Sequence, residues 1–269
     1  MTNPRLTALI RCRDEERVIG RLIDALRAQT IAEAIQIVVI DSGSRDGTVD
    51  DVRRRGLEPL QIRREEFTYG RALNLAATEA QAPLCLSISA HVRLLDGGWA
   101  ARVVEAFDDR RVACAYGPRR EPQGLRPLTA PLLQDVAHAG AHPLWGYSNS
   151  SGAFRHELWQ RRPFDERLVA DEDLEWAWYW LREGWLVRLD PDLAVDHSHA
   201  DESPVHAFRR RRAEAAAVHQ FREVDPLPLR PVLSEWWRGP HLHRSNLRAR
   251  LDPRRIAALA GRYAGLRWP

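Results

Sequence analysis

The chain has 269 residues, of which 44% are hydrophobic, and a formal net charge of +3. This length suits one large α/β domain or a domain with a smaller appendage, and the low, evenly spread charge gives no reason to expect a nucleic-acid partner. No apolar run is long enough for a transmembrane helix, and the N-terminus lacks the apolar stretch of a signal peptide.

The first half of the chain alternates short apolar runs with amphipathic helical patterns. Helices of roughly 10–15 residues between such runs are typical of βαβ units, which predicts an α/β fold with a mainly parallel, Rossmann-like sheet flanked by helices. Ligands bind such sheets beyond the carboxyl ends of the strands. Strands are predicted at Leu6–Cys12, at Ile35–Asp41, from Leu84 to a break at Ser89-Ala90-His91, and in the run VACAYGP beginning at Val112.

The pattern changes after Gly117. Residues 117–131 are rich in proline and arginine, which predicts a loop across the sheet, and residues 142–159 predict turns followed by a helix. A strongly amphipathic helix is predicted over 171–185, followed by two short strands or a strand and a loop. We therefore divide the chain into a domain at 1–203, with halves at about 1–117 and 118–203, and a helical, Arg-rich extension at 204–269.

Three cysteines, Cys12, Cys85 and Cys114, are widely separated in the chain. An odd, unclustered set argues against a disulfide framework and against a zinc knuckle. The sequence therefore predicts reduced thiols and a cytoplasmic protein. All 40 residues counted as Lys+Arg are arginine, so any phosphate contact must come from guanidinium groups, backbone or a metal ion.

Several segments follow one another in an order that is more specific than any single motif. They are IRCRDEERVI, VVIDSGSRDGT, FTYGRALNLAATEA, YSNSSGAFRHELWQRRPFDERL, DEDLEWAWYWLREG and LAVDHSH, spread over roughly residues 5–200. The series resembles family-2 glycosyltransferases of the GT-A fold, and in particular their bacterial rhamnosyltransferase-like branch. The resemblance implies an inverting enzyme that moves a sugar from a nucleoside-diphosphate donor to an acceptor hydroxyl, in glycan or secondary-metabolite biosynthesis.

The strand that ends at Ser89-Ala90-His91 departs from the family pattern. In the family this position carries Asp-X-Asp, which holds Mg²⁺ or Mn²⁺ against the donor diphosphate. Imidazole binds Mn²⁺ or Zn²⁺ well but is a poorer ligand for Mg²⁺, which prefers oxygen. The resemblance implies a divalent cation, Mn²⁺ or Mg²⁺, with His91, His197 and His199 as candidate ligands. A single histidine at a strand end is more often only solvated, and the spacing does not choose among the three.

Other residues are assigned to the donor by the resemblance. Arg71 could supplement the metal as a clamp on the diphosphate. Part of this set also has an ordinary structural explanation, because Ser44 or Asp46 could simply cap the next helix and Glu15 could interact with a helix dipole. The candidate donor-binding residues are Arg11, Glu15, Asp41, Ser42, Ser44, Arg71, Asn74 and Ser89.

The acidic residues Asp171, Glu172, Asp173 and Glu175 open the predicted helix over 171–185. Acids favour helix N-termini for electrostatic reasons alone, so the cluster needs no catalytic explanation. Register with the family's Glu-Asp motif implies that Asp173 is the base that deprotonates the acceptor hydroxyl, supported by Glu172. An inverting mechanism requires only this one base and no covalent nucleophile.

Two aromatic residues in the turn-rich segment, Trp145 and Tyr147, are candidates for stacking against the acceptor. The aromatic run within 176–185 has helical spacing, which is more typical of a core. The run Phe208–Glu214 predicts a solvated helix face, with contact to an anionic lipid carrier or the inner membrane face as the alternative. The acceptor itself is left open among glycans, lipid-linked glycans and small molecules.

Two other classes of protein stay open. One is a catalytically inactive relative that binds nucleotide sugars as a scaffold, although retention of Asp173, His197 and the DSGS turn argues against it. The other is a metal hydrolase that uses His91, His197 and His199, but the sequence contains no H-E-x-x-H spacing to support it.

Overall fold

The computed structural model describes residues 3–120, 129–141, 147–197, 203–224, 233 and 251–268. Its strands are β1 (Leu6–Cys12), β2 (Ile35–Asp41), β3 (Leu60–Gln61), β4 (Leu84–Ser89), β5 (Val112–Tyr116), β6 (Arg119–Arg120), β7 (Leu132–Gln134), β8 (Ser151–Arg155), β9 (Leu186–Leu189) and β10 (Val195–Asp196). The main sheet has eight strands in the order β3-β2-β1-β4-β8-β5-β9-β7, and β6 and β10 form a separate parallel pair.

Helices cover both faces of the main sheet, so the predicted α/β class is confirmed. Two apolar clusters lie on opposite sides of it, because alternate residues of β1 point to opposite faces. The helices are α1 (Ile19–Arg27), α2 (Thr48–Arg54), α3 (Tyr69–Thr78), α4 (Trp99–Glu105), α5 (Val136–Ala141), α6 (His156–Arg161), α7 (Glu172–Arg182), α8 (Pro204–Ala217) and α9 (Pro253–Arg267).

The strands β3, β2, β1 and β4 form the parallel part of the sheet. β1 pairs with β2 from Leu6↔Ile35 to Cys12↔Asp41, and on its other side with β4. Strands buried on both faces are nearly continuous apolar runs, which is why the sequence predicts them well. The ends of β1, β2 and β4 meet at one edge of the sheet, as expected.

The other part of the sheet is mixed. β8 lies between β4 and β5 and is antiparallel to both. This strand is not predicted from the sequence, because Ser151, Gly152 and Ala153 have little β propensity. Glycine is required at position 152, where a Cβ atom would collide with the carbonyl oxygen of Ser148 and the ring of Tyr147. Since β8 is antiparallel, its first residues lie at the edge where β1 and β4 end.

The helix α7 packs its aromatic side chains into one of the two cores. Trp176 and Trp180 are 0% and 2% exposed and contact each other edge to face. The aromatic run at helical spacing is therefore mainly core, as predicted.

The helices α8 and α9 pack against each other in parallel. A Cβ atom on Gly261 would collide with the backbone of Phe208, and one on Gly265 with the backbone of Arg212. A step of four residues along one helix thus matches a step of four residues along the other, so the two helices run in the same direction. Arg222, beyond α8, donates to the carbonyl oxygens of Ala139 and Gly140 and lies 4.1 Å from the centre of the Trp178 ring. Within the described part of the chain, no helix is long and apolar enough to cross a membrane.

Candidate functional site

The turn after β2 is organised around the buried carboxylate of Asp41, which is 2% exposed. Its Oδ2 accepts hydrogen bonds from the backbone N–H groups of Gly43 and Ser44, each at 3.0 Å, and its Oδ1 accepts from the Ser44 hydroxyl. Gly43 has a φ of 81°, a conformation that favours glycine. Ser42 is also buried, and its backbone N–H donates to the carbonyl oxygen of Cys12. The turn is therefore fixed by its own side chains.

The turns after β1 and β2 are bonded to each other. The backbone N–H of Asp14 donates to Ser44 Oγ at 2.9 Å, and that of Arg45 donates to Asp14 Oδ1 at 2.8 Å. The backbone N–H of Glu15 donates to Thr48 Oγ1 at 2.8 Å. These bonds hold the Glu15 carboxylate beside the end of β4.

Two histidines meet beyond the end of β4. The Nδ1 of His91 lies 2.9 Å from Glu15 Oε1, and its Nε2 lies 2.9 Å from the Nε2 of His197. Their rings are stacked, with centroids 4.7 Å apart. A β-bridge between Arg93 and Asp196 aligns the two segments and so brings His197, which is 5% exposed, beside His91.

This arrangement has two features of a cation site. A carboxylate on Nδ1 selects the tautomer of His91 that carries a lone pair on Nε2, and metal-binding histidines usually have such a partner. Two Nε2 atoms 2.9 Å apart are close to the separation of neighbouring ligands on one ion. Among the described residues, however, no group of three or more His, Cys, Asp and Glu side chains could hold a metal ion. Within the described residues, the two histidines are therefore a pair and not a complete set of ligands.

Asn149 connects the end of β1 to the start of α7. Its backbone N–H donates to Asp173 Oδ2 at 2.8 Å, and its side-chain Nδ2 donates to Glu172 Oε1 at 3.2 Å. Its carbonyl oxygen accepts from Arg11 Nη2 at 3.2 Å and from Ser87 Oγ at 2.7 Å. The sequence analysis missed Asn149, although it lies in the quoted YSNSSGAF segment, because a single asparagine in a turn-rich stretch is an ordinary turn residue.

The carboxylates at the start of α7 are crowded, and Glu172 is buried among them. Glu172 is 4% exposed. Burial, followed by the negative charge of Asp173, raises the pKa of Glu172 to about 7, while Arg11 and the hydrogen bond from Asn149 act in the opposite direction. Glu172 therefore exchanges a proton near neutral pH, which is unusual for a glutamate.

Asp171 precedes α7 in the left-handed region, with a φ of 61°. Burial and then the charges of Asp173, Glu214 and Glu172 raise the pKa of Asp171 to about 9, so it is protonated at neutral pH. Glu175, the fourth acid, forms a bidentate ion pair with Arg162, with its shorter contact at 2.6 Å. Glu175 thus has a structural partner.

The remaining predicted donor-binding residues lie in two different places. Ser89 lies at the strand ends, where its backbone N–H donates to the carbonyl oxygen of Ser150. Arg71 and Asn74 are on α3, and both contact Glu166. The Asn74 amide also bonds to Trp159 and to the backbone of Phe164. In this structure Asn74 joins α3 to the segment after α6 and makes no hydrogen bond to the described groups at the strand ends.

The acceptor prediction for Tyr147 does not fit its position. Tyr147 is 2% exposed, and its ring lies in the core against Gly152 and Tyr116. It offers no accessible face for stacking, because the turn-rich sequence around it folds inwards. Trp145 and His199 lie outside the described residues.

Residues 7–167, more than half of the chain, match the family model described as "Glycosyl transferase family 2". A comparison with curated protein sequences finds no match.

Three solved structures illustrate the likeness of the fold. The mannosyltransferase PcManGT from Pyrobaculum calidifontis, in complex with GDP-Man and Mn²⁺, is 19% identical to this chain, with a TM-score of 0.68. The match covers 99% of this chain and 86% of the PcManGT chain. S. aureus TarS 1-349 is 17% identical with a TM-score of 0.57, covering 82% and 67%. Glucosyl-3-phosphoglycerate synthase from Mycobacterium tuberculosis, in complex with Mn²⁺, UDP-Glc and phosphoglyceric acid, is 15% identical with a TM-score of 0.54, covering 80% of each chain.

Proposed function

Because the chain belongs to glycosyl transferase family 2 and is a nucleotide-sugar-dependent glycosyltransferase with the GT-A fold, we propose that it transfers its sugar with inversion and that Asp173 is the base. One observation carries the proposal. Through Asn149, the carboxylate of Asp173 is linked to Arg11 at the end of β1, and this link supports a role for that carboxylate at the edge where α/β sheets bind ligands.

In this reaction the acceptor hydroxyl attacks the anomeric carbon, the bond from that carbon to the diphosphate breaks, and the hydroxyl proton passes to Asp173. The base must be an ionised carboxylate when the acceptor arrives. Two backbone N–H groups, from Asn149 and Leu174, donate to Asp173 at 2.8 Å each and favour that form. Glu172 can hold a proton beside it, which limits repulsion between the two acids.

The donor is proposed to bind at the ends of β1, β2 and β4. There the Asp41 turn would face the nucleoside and Arg11 the negatively charged part of the donor. His91 and His197, oriented by Glu15, would hold a divalent cation, with further ligands from the diphosphate and His199. A bound cation would neutralise charge that develops on the departing nucleoside diphosphate. Some solved structures of the same fold contain GDP-Man or UDP-GlcNAc, which supports a donor of this chemical class.

Calorimetric titration of GDP, UDP and dTDP with Mn²⁺, Mg²⁺ or EDTA tests the donor site. We expect one nucleotide to bind preferentially, and Mn²⁺ to strengthen binding. In His91→Ala, the gain in nucleotide affinity that Mn²⁺ produces should be smaller by at least about 10-fold, which is the scale on which metal-site mutations act. His206→Ala, at an exposed histidine on α8, is the matched control. Binding that EDTA does not weaken would contradict the metal site, and absence of binding to all three nucleotides would contradict the donor site.

A further inference from the structure

The carboxamide of Asn149 stands out because it is buried and only half used. Asn149 is 1% exposed, and its Nδ2 donates to Glu172 Oε1 at 3.2 Å. Its Oδ1 is also buried, and within the described part of the chain no donor reaches it. An acceptor that is buried without a donor costs free energy, so this orientation of the amide satisfies only one of its two ends.

The same amide has a second orientation that would suit a different state of its neighbour. A charged Glu172 can only accept hydrogen bonds, so it requires Nδ2. A protonated Glu172 carries an O–H group, which can donate to Oδ1 once the amide has turned by half a rotation. In that state the acceptor on Asn149 acquires its missing donor, and the proton on Glu172 has come from solvent.

The backbone of Asn149 does not take part in this rotation. Its N–H remains on Asp173 Oδ2 at 2.8 Å, and its carbonyl oxygen remains bonded to Arg11 and Ser87. One residue can therefore hold Asp173 in place while its side chain adapts to Glu172.

We propose that Asn149 is a positioning residue whose carboxamide turns over as Glu172 gains or loses its proton, so that Asp173 keeps one position in both states. Its importance for catalysis rests on the proposed role of Asp173 as the base. The charged groups that face Glu172 are Asp171 and Asp173 on the same helix and Arg11 from β1. The phenol of Tyr147 lies close to Asp173.

The proposal can be tested without substrate. The chain contains four asparagines, so ¹⁵N-asparagine labelling gives four pairs of side-chain amide signals in a proton–nitrogen spectrum, one pair from each NH₂ group. Loss of one pair in Asn149→Ser assigns the side-chain signal of Asn149. Between pH 5 and pH 9 we expect this signal to shift with a midpoint near 7, the shift to vanish in Glu172→Gln, and the midpoint to fall in Asp173→Asn because a negative charge is removed.

A signal that does not move between pH 5 and pH 9, or that still moves in Glu172→Gln, would overturn the proposal. If the Glu172→Gln protein fails to fold, the midpoint in Asp173→Asn decides instead, since an unchanged midpoint would also overturn it.

Kinetics then separate positioning from mere stability. Asn149→Asp places a third acid beside Glu172 and Asp173. Its negative charge disfavours ionisation of its neighbours, so the acidic limb of the pH profile of kcat should move to higher pH. Gln29→Glu is the matched control, because Gln29 is also a buried amide, 6% exposed, bonded to backbone at the end of α1. It should lower the melting temperature without moving the profile. A profile unchanged in Asn149→Asp would overturn the positioning role. A titrating Asn149 signal in an enzyme indifferent to Asp173→Asn would contradict the proposed base and leave the amide rotation supported.

Discussion

The carboxylate of Asp41 and the pair formed by Glu172 and Asp173 lie at the same edge of the sheet, but their surroundings differ. Asp41 receives donors from its own turn, which satisfy both of its oxygens. Glu172 and Asp173 are adjacent in the chain, and the charge of each disfavours ionisation of the other. The first arrangement favours one rigid shape, whereas the second keeps a proton exchangeable near neutral pH. We infer that the first shapes a binding surface and the second serves proton transfer.

The largest expected effect comes from removing the proposed base. Asp173→Asn should lower kcat by about 10²- to 10⁴-fold, the range for loss of a general base, because the amide cannot take the acceptor proton. Affinity for the nucleotide should change little, since Asp173 bonds to the start of α7 and to Asn149 rather than to the Asp41 turn. Turnover assays and calorimetry on the same preparation measure both. An equal loss of affinity and turnover would contradict the division between a binding surface at Asp41 and proton transfer at Glu172 and Asp173.

A smaller effect of a different kind is expected at the other carboxylate. Asp41→Asn replaces one acceptor oxygen with a donor group and should reduce the free energy of unfolding by about 1–3 kcal/mol, as for a buried hydrogen-bonding group left without its partner. Nucleotide affinity should fall, while kcat at saturating donor stays within the same order of magnitude. Urea unfolding and saturation kinetics test this expectation. A collapse of kcat with normal stability would show that Asp41 takes part in the chemistry.

The smallest effect on turnover is expected at Asp171. This side chain is protonated at neutral pH, so Asp171→Asn changes neither charge nor shape greatly, and asparagine tolerates the positive φ. We expect kcat at pH 7 to change by less than about two-fold, which makes Asp171→Asn a matched control for Asp173→Asn.

The same variant should change how stability depends on pH. The pKa of Asp171 rises from 3.8 to about 9 on folding, so between these values the folded chain binds a proton that the unfolded chain has lost. Stability therefore falls as the pH rises through this window, and the asparagine variant avoids that loss. Its melting temperature should exceed that of the unmodified protein by a larger margin at pH 9 than at pH 5. An equal margin at both pH values would contradict the raised pKa of Asp171.

Much of the parallel half could be predicted from the sequence, because β1, β2 and β4 are largely buried and each is a mainly apolar run. β8 could not, since its pattern of Ser, Gly and Ala acquires strand geometry only from its neighbours β4 and β5. The family assignment and the GT-A fold are confirmed. The predicted groups at the ends of β1, β2 and β4 do come together.

The contacts within the site could be predicted from the sequence less well than the strands. His91 and His197 are 106 positions apart, and their contact depends on the bridge between Arg93 and Asp196, which no local pattern indicates. Asn149 acts through its backbone as well as its side chain, and backbone contacts leave little trace in residue identity. Tyr147 is a candidate for stacking against the acceptor because it lies in a turn-rich segment, but its ring is held in the core by close contact with Gly152.

The parallel arrangement of α8 and α9 has a consequence for folding. Two parallel helices cannot be joined by a short turn, and α8 and α9 are separated in the chain by residues 218–252. The contacts at Gly261 and Gly265 therefore join distant parts of the chain, at an entropic cost that grows slowly with their separation but must be met before the contacts form. Contacts between such distant segments form slowly, so we expect α9 to join α8 late, after the local pairing of β1 with β2.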